Sequence, residues 1–321
     1  MKKNIFALVA VLVLSLLMGT VANAEFDASA GAGVATKVAL ITMDQMDVHW
    51  VRLQKAAEAR VEAYNAAGAN IELTWLAPET KDNAQQIQRI ETATADGADY
   101  IIISANDATS CNRALEEAIS LGAKIIYVDA TATVEAAATY ATDNYAGGVQ
   151  AGEYLKAILE ANGVTEGEIG IVDAQNGVES CENRFQGFAS VFEGTNYTIG
   201  ERQYSDGDPS RAQEIANTLV ANGVIAIYGT NDGSTNGAAA AVKDALNNGE
   251  TVYMVGWDNS DSNLAHVEGG ELLAFMAQNP GVMGEMAIDA VVRLENGEDL
   301  NGEVVDTGVS TVDASNVADF K

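Results

Sequence analysis

Short apolar runs alternate with amphipathic stretches from Lys37 onward, regularly enough to be read as secondary-structure elements. Val38-Ala39-Leu40-Ile41 is the continuous apolar run of a strand covered on both faces, and it stops at Thr42-Met43-Asp44. Leu53, Ala56, Ala57 and Val61 then recur at helical spacing until Gly68. Ile71 to Leu76 alternates as a second strand, and Ile87, Ile90 and Ala93 share one face of a helix over 82–95. The unit repeats with a strand at 100–104 ending in Ala105-Asn106-Asp107, a helix closed by Gly122, and a strand at 124–128 ending on Asp129.

Residues 130–142 read as a small-residue loop that reaches Thr142-Asp143-Asn144, the first crossing into a second lobe. Beyond it come a helix at 147–161, a strand at 168–172 ending in Asp173, a helix at 184–192 and an alternating strand at 199–204. A helix at 209–222 follows, then a strand at 224–228 running into Gly229-Thr230-Asn231-Asp232, a further helix, and a strand at 251–257 ending in Asp258. Strands separated by just enough chain for one crossover helix must run parallel. The predicted class is α/β: two open parallel-sheet, Rossmann-like lobes, helix-covered on both faces, with the function in the cleft between them. Residues 25–36, EFDASAGAGVAT, are small and patternless, and read as a flexible tail.

The first 24 residues change the picture. Lys2 and Lys3 precede an apolar run over 5–18, and Val21-Ala22-Asn23-Ala24 supplies a small-x-small cleavage pattern, so 1–24 reads as a signal peptide cut near Ala24. The run is short for a bilayer span, and no later segment approaches the roughly 18 apolar residues one needs, so no membrane anchor is expected. The mature protein is expected in the periplasm or secreted. A formal charge of -29 repels nucleic acid and anionic lipid, and neither is an expected partner. His49 and His266 are the only histidines and neither has a second ligand at metal spacing, so no metal site and no cofactor are predicted.

In open α/β sheets ligands sit beyond the carboxyl ends of the strands. Those ends read Asp44 to His49, Ser104 to Asp107 and Asp129 in the first half, and Asp173 to Asn176, Thr230 to Asp232 and Asp258 in the second. Ionised carboxylates only accept hydrogen bonds, so such a rim suits a neutral, donor-rich ligand, and the vicinal hydroxyls of a sugar fit it. A phosphorylated ligand would call for a glycine-rich anion nest, and neither GxxxxGK[ST] nor GxGxxG occurs. Trp50, where the first helix begins, supports a sugar's C–H face or packs in the core. Arg184, read as a helix-start residue, either donates to ring and hydroxyl oxygens or pairs with Glu179 or Glu182.

These residues, in order, resemble those of the periplasmic sugar-binding proteins of ABC transporters, the type I group that includes ribose- and galactose-binding proteins. The resemblance spans 37–321 through D-x-H-W at Asp47 to Trp50, QQIQRIETATADGADYIIIS, IIYVDA, ATDNYAGGVQAGEYL, NRFQGF, GTNDGS, VGWD and AQNP. It implies ligand contacts at Asp47, His49, Trp50, Ser104 and Asp129 in one lobe, and at Arg184, Asn231, Asp258 and Gln278 in the other. It also implies three crossings, giving an N-terminal lobe of 37–142 plus 279–304 and a C-terminal lobe of 143–278 plus 305–321. The family fold would be that of type I periplasmic binding proteins, with a three-segment hinge and a monomeric protein. Two positions depart from the ribose-binding pattern: Ala130 stands where those members have Arg, and Gly207 where they place an aromatic ring. A bulkier sugar, a sugar alcohol, or a furanosyl signal of the autoinducer-2 kind enters consideration.

The resemblance implies capture of a sugar or polyol by lobe closure and delivery to an ABC permease. A receptor role toward a chemoreceptor or sensor kinase is the alternative that sequence does not separate from transport. Catalysis is not expected: three aspartates at the rim could pair as in glycosidases, but no GxSxG, HExxH or Cys-His pattern accompanies them. Asp258-Asn259-Ser260-Asp261 lacks the glycine and terminal glutamate of an EF-hand loop. A Cys111–Cys181 disulfide would join the lobes and oppose hinge motion, so free thiols are expected.

Overall fold

A computed structural model describes residues 26–174 and 176–321; the predicted signal peptide lies outside the described residues. The first sheet contains β1 (Ala35–Ile41), β2 (Asn70–Trp75), β3 (Tyr100–Ile103), β4 (Lys124–Val128), β5 (Ala138–Ala141) and β11 (Glu303–Asp306). Their order is β11-β5-β4-β3-β1-β2, and every neighbouring pair is parallel. The second sheet contains β6 (Gly167–Asp173), β7 (Tyr197–Tyr204), β8 (Ala226–Gly229), β9 (Tyr253–Trp257), β10 (Ala274–Gln278) and β12 (Val309–Asp313). It is ordered β12-β10-β9-β8-β6-β7, with only β12 antiparallel.

Alternation of side chains sorts each strand's apolar residues to two faces, and both faces are dry. In the first sheet Leu40, Ile102 and Ile126 pack against α1 (Val48–Ala66) and α9 (Pro280–Glu295). Their neighbours Ile41, Ile101 and Ile125 pack against α2 (Asn83–Ala95) and α3 (Asn112–Ser120). In the second sheet Ile227, Met254 and Phe275 face α6 (Pro209–Ala221), α7 (Asp232–Asn247) and α8 (Asp261–Gly269). Tyr228, Val255 and Met276 face α4 (Asn144–Ala161) and α5 (Glu179–Ser190). The continuous apolar runs of the sequence are therefore strands buried on two sides.

Four expectations need correction. Of the expected tail over 25–36, the described residues from 26 on are not free: Asp27 caps a 3-10 turn over Ala28–Gly31, and Gly31 is buried against Tyr64. Phe26 lies edge-on to Tyr64 at 5.2 Å and under the Arg60 guanidinium at 3.9 Å, so one aromatic anchors a segment with no periodicity of its own. Within the expected loop over 130–142 lies β5, a four-residue strand without an apolar run. The expected lobe boundary at 304/305 falls inside β11, whose half-exposed alternation gives little hydrophobic signal. Arg184 is not at a helix start, because α5 begins five residues earlier at Glu179.

Chain passes between the sheets after β5, after β10 and between β11 and β12. One carboxylate oxygen of Asp306 accepts from the Asp143 N–H at 2.9 Å and the Gly308 N–H at 2.8 Å. Asn279 Nδ2 donates to the carbonyls of Thr307 and Gly308 at 3.0 and 3.2 Å. The three passages are thus tied side by side.

On α8, His266 has its pKa lowered by burial, and the Lys243 charge acts in the same direction. The Glu271 carboxylate, 4.0 Å from Nδ1, opposes both only in part. The unfolded chain takes up this proton near the ordinary value of 6.5, whereas the folded chain holds out to lower pH. Stability should therefore fall as pH drops through 6.5 towards the folded pKa. Urea midpoints measured from pH 7.5 to 5 should show this slope, and a His266→Gln variant should lose part of it.

Candidate ligand-binding site

Parallel strands deliver all their carboxyl ends to one edge of a sheet, and here the two edges face each other across a cleft of about 1150 Å³. One wall carries Asp47, His49 and Trp50 from the start of α1, Asn106 and Asp107 after β3, and Asp129 to Thr131 after β4. Opposite stand Asn183 and Arg184 from α5, Asp232 at the start of α7, Asp258 to Asp261 after β9, and Gln278 at the end of β10. Thr142 to Asn144 and Pro280, from two of the passages, also line it.

Asp47 caps α1, accepting from the His49 N–H at 2.9 Å, which fixes the helix start at the cleft. His49 stands edge-on to Trp50, centroids 4.5 Å apart, and its Nε2 is 3.7 Å from Asp129 Oδ1. That nitrogen is buried without a hydrogen-bond partner. Trp50 is 5% exposed and belongs to the first sheet's core, and it also lines the cleft. Asp129 and Asp258, which follow β4 and β9 at equivalent places in the two sheets, have φ of 62° and 71°. Left-handed backbone disfavours a side-chain-bearing residue by roughly 1 kcal/mol, and Asp tolerates it better than most.

Arg184 is 4% exposed and gripped from several directions. Its Nε donates to Asn144 Oδ1 at 2.8 Å, one terminal nitrogen donates to the Thr230 carbonyl at 3.0 Å, and the guanidinium lies 3.9 Å over the Trp257 ring. The same nitrogen is 3.6 Å from Asp258. Asp258 in turn accepts from Gln278 Nε2 at 3.0 Å and from the Asp232 N–H at 3.1 Å. Gln278 Oε1 is buried and unpartnered. Burial pushes the Asp232 carboxyl above its ordinary value; the Ser260 hydroxyl opposes this, and the Asp258 and Asp47 charges add to it.

Seven of the nine implied contacts meet at this cleft: Asp47, His49, Trp50, Asp129, Arg184, Asp258 and Gln278. Ser104 and Asn231 do not line it. Ser104 is fully buried, its carbonyl accepting from Gln86, and Asn231 turns its side chain back to cap α7. Asp173, read as a rim residue, is fully buried beneath Arg202 Nε at 2.6 Å. Both cysteines are free and buried, one in each lobe.

The profile of the periplasmic binding protein domain matches residues 38–299. The chain belongs to this family. Among its relatives, the D-allose-binding periplasmic protein of Escherichia coli is 27% identical, over 86% of this chain and 89% of that one. The ribose import binding protein of Haemophilus influenzae is 26% identical over 70% of this chain and 75% of its own length. A sugar-binding protein of a sugar ABC transporter from Bacillus halodurans superposes with a TM-score of 0.81 at 22% identity, covering 89% of this chain and all of that one. The last likeness establishes the fold, with two α/β lobes about a cleft.

Asn144 and Asn183 also stand on the cleft wall, and no strand-end pattern in the sequence marks them. Asn144 belongs to the first crossing in the sequence, and its amide reaches the site because α4 begins there and meets Arg184. Asn106 and Asp232 stood within strand-end segments already read as polar, but no signal ranked them above their neighbours.

Proposed function

We propose that the chain is an extracytoplasmic solute-binding protein that captures a neutral sugar or related polyol by lobe closure and delivers it to an ABC permease. The observation that carries this reading is the chemistry of the two walls. Asp47 and Asp129 on one wall and Asp232, Asp258 and the unpartnered Gln278 Oε1 on the other accept hydrogen bonds, while Arg184, on the second wall, supplies donors. Trp50 offers an apolar surface beside them. A polyhydroxylated ring needs all three. Relatives that bind allose and ribose support the class of ligand.

In this reading the N-terminal lobe is the first sheet with α1, α2, α3 and α9, the C-terminal lobe is the second sheet with its helices, and the three tied passages are the hinge. Ligand held by one wall gains the contacts of the other on closure, so the closed form is favoured by differential affinity. The ligand contacts are Asp47, His49, Trp50, Asp129, Arg184, Asp258 and Gln278.

A thermal-shift screen of neutral pentoses, hexoses and polyols tests the reading. A ligand at about 100 times its Kd adds about 2.7 kcal/mol and should raise the melting point by several degrees. A panel with no shift would count against sugar capture. Uronic and aldonic acids should give far smaller shifts than the matching neutral sugars, because their charge would face the wall carboxylates. Equal shifts from an acid and its neutral counterpart would show that the walls do not select as described.

A further inference from the structure

Asn106 sits on the first-lobe wall, directly after the strand end that carries Ser104. Main-chain bonds fix its loop. Gln86, 1% exposed, donates through Nε2 to the Ser104 carbonyl at 2.8 Å and accepts through Oε1 from the Asn106 N–H at 2.9 Å. The Ala105 N–H donates to the Ala130 carbonyl at 3.0 Å, which binds this loop to the one after β4. None of these bonds uses the Asn106 side chain.

That side chain is left wholly without partners. Both its Oδ1 and its Nδ2 are buried and neither has a hydrogen-bond partner. An amide withdrawn from water without replacement bonds is disfavoured, so a side chain with no structural task would be expected to be apolar or to reach solvent. His49 Nε2, on the same wall, is in the same condition.

We propose that Asn106 is a specificity-determining ligand contact, a proposal that rests on the sugar-binding reading above. An amide offers an acceptor and two donors side by side, which matches a hydroxyl pair in which one group donates and the other accepts. An epimer that turns one of those hydroxyls away leaves half of the amide unpaired again, so Asn106 discriminates configuration and not merely the presence of a sugar.

The test uses wild type, Asn106→Ala and Asn106→Asp, titrated by calorimetry with D-allose, D-ribose and D-arabinose. Asn106→Ala should bind the sugar preferred by wild type at least tenfold more weakly and should narrow the differences among the three. Because it removes two unpartnered atoms and breaks no bond, the melting point of the unliganded protein should not fall. Asn106→Asp, which loses the donors, should also bind more weakly. Unchanged affinity and ranking in Asn106→Ala would overturn the proposal. So would a lowered unliganded melting point with an equal loss for all three sugars, which would make Asn106 a loop-forming residue. A wild type that binds none of the three, nor any other neutral sugar, would instead sink the sugar-binding reading and this proposal with it.

Discussion

Replacing Arg184 by alanine should abolish ligand binding and destabilise the second lobe by about 3 kcal/mol. The guanidinium holds Asn144 Oδ1 and the Thr230 carbonyl at 2.8 and 3.0 Å, and stacks on Trp257 at 3.9 Å. Truncation leaves the Thr230 carbonyl without that donor in a dry interior, and takes a positive charge from beside Asp258. Hydrogen bonds to a charged group are worth roughly 1.5–3 kcal/mol each, and the cavity under Trp257 adds to their loss. Arg184→Lys should rescue little, since one ammonium cannot span Asn144 and Thr230 while lying flat on the indole. Urea unfolding gives the stability change and calorimetry the affinity. Retention of both in the alanine variant would show that Arg184 is a bystander.

Gly187→Val should be at least as severe, although Gly187 does not line the cleft. A Cβ there would stand 2.0 Å from the Tyr145 carbonyl oxygen, and one at Gly148 would stand 2.2 Å from the Arg184 carbonyl oxygen. The α4 and α5 backbones approach each other through glycine on both sides, and neither obstacle is a side chain that can swing away. The helices must part, at a cost of about 3 kcal/mol or more. Asn144 lies on one helix and Arg184 on the other, so parting them also breaks the 2.8 Å bond that orients the guanidinium. Binding should fall with stability. Gly281→Ala is the contrasting change: its Cβ would meet only the Ala56 methyl, at an ordinary 3.6 Å. Denaturation midpoints of the two variants should differ widely; a small effect in Gly187→Val would mean that the helix contact is loose.

The strands of both sheets were legible because burial on two faces leaves an unbroken apolar run, as in Tyr100 to Ile103. Where burial is one-sided or a strand lies at the edge of its lobe, the run disappears: β5 and β11 are short, half-exposed and composed partly of small or acidic residues. The 3-10 turn before β1 was invisible for another reason, since Phe26 and Gly31 owe their places to Tyr64 and Arg60 on a helix far along the chain. A carboxylate ending an apolar strand marks Asp129, Asp173 and Asp258 alike; Asp129 and Asp258 line the cleft, whereas Asp173 is sealed beneath Arg202. Sequence did not reveal that Ser104 would be sealed and Asn231 turned to its own helix cap, outcomes set by local bonds with Gln86 and Ser234.

A neutral sugar held between the two walls is the state on which the proposed function depends. A crystal structure of the protein with the sugar giving the largest thermal shift tests it most directly. One sugar molecule should lie between His49 and Trp50 on one side and Arg184 and Asp258 on the other, with its hydroxyls donating to the wall carboxylates. A sugar bound outside this cleft, or within it without contact to Arg184 and Asp258, would contradict capture between these walls.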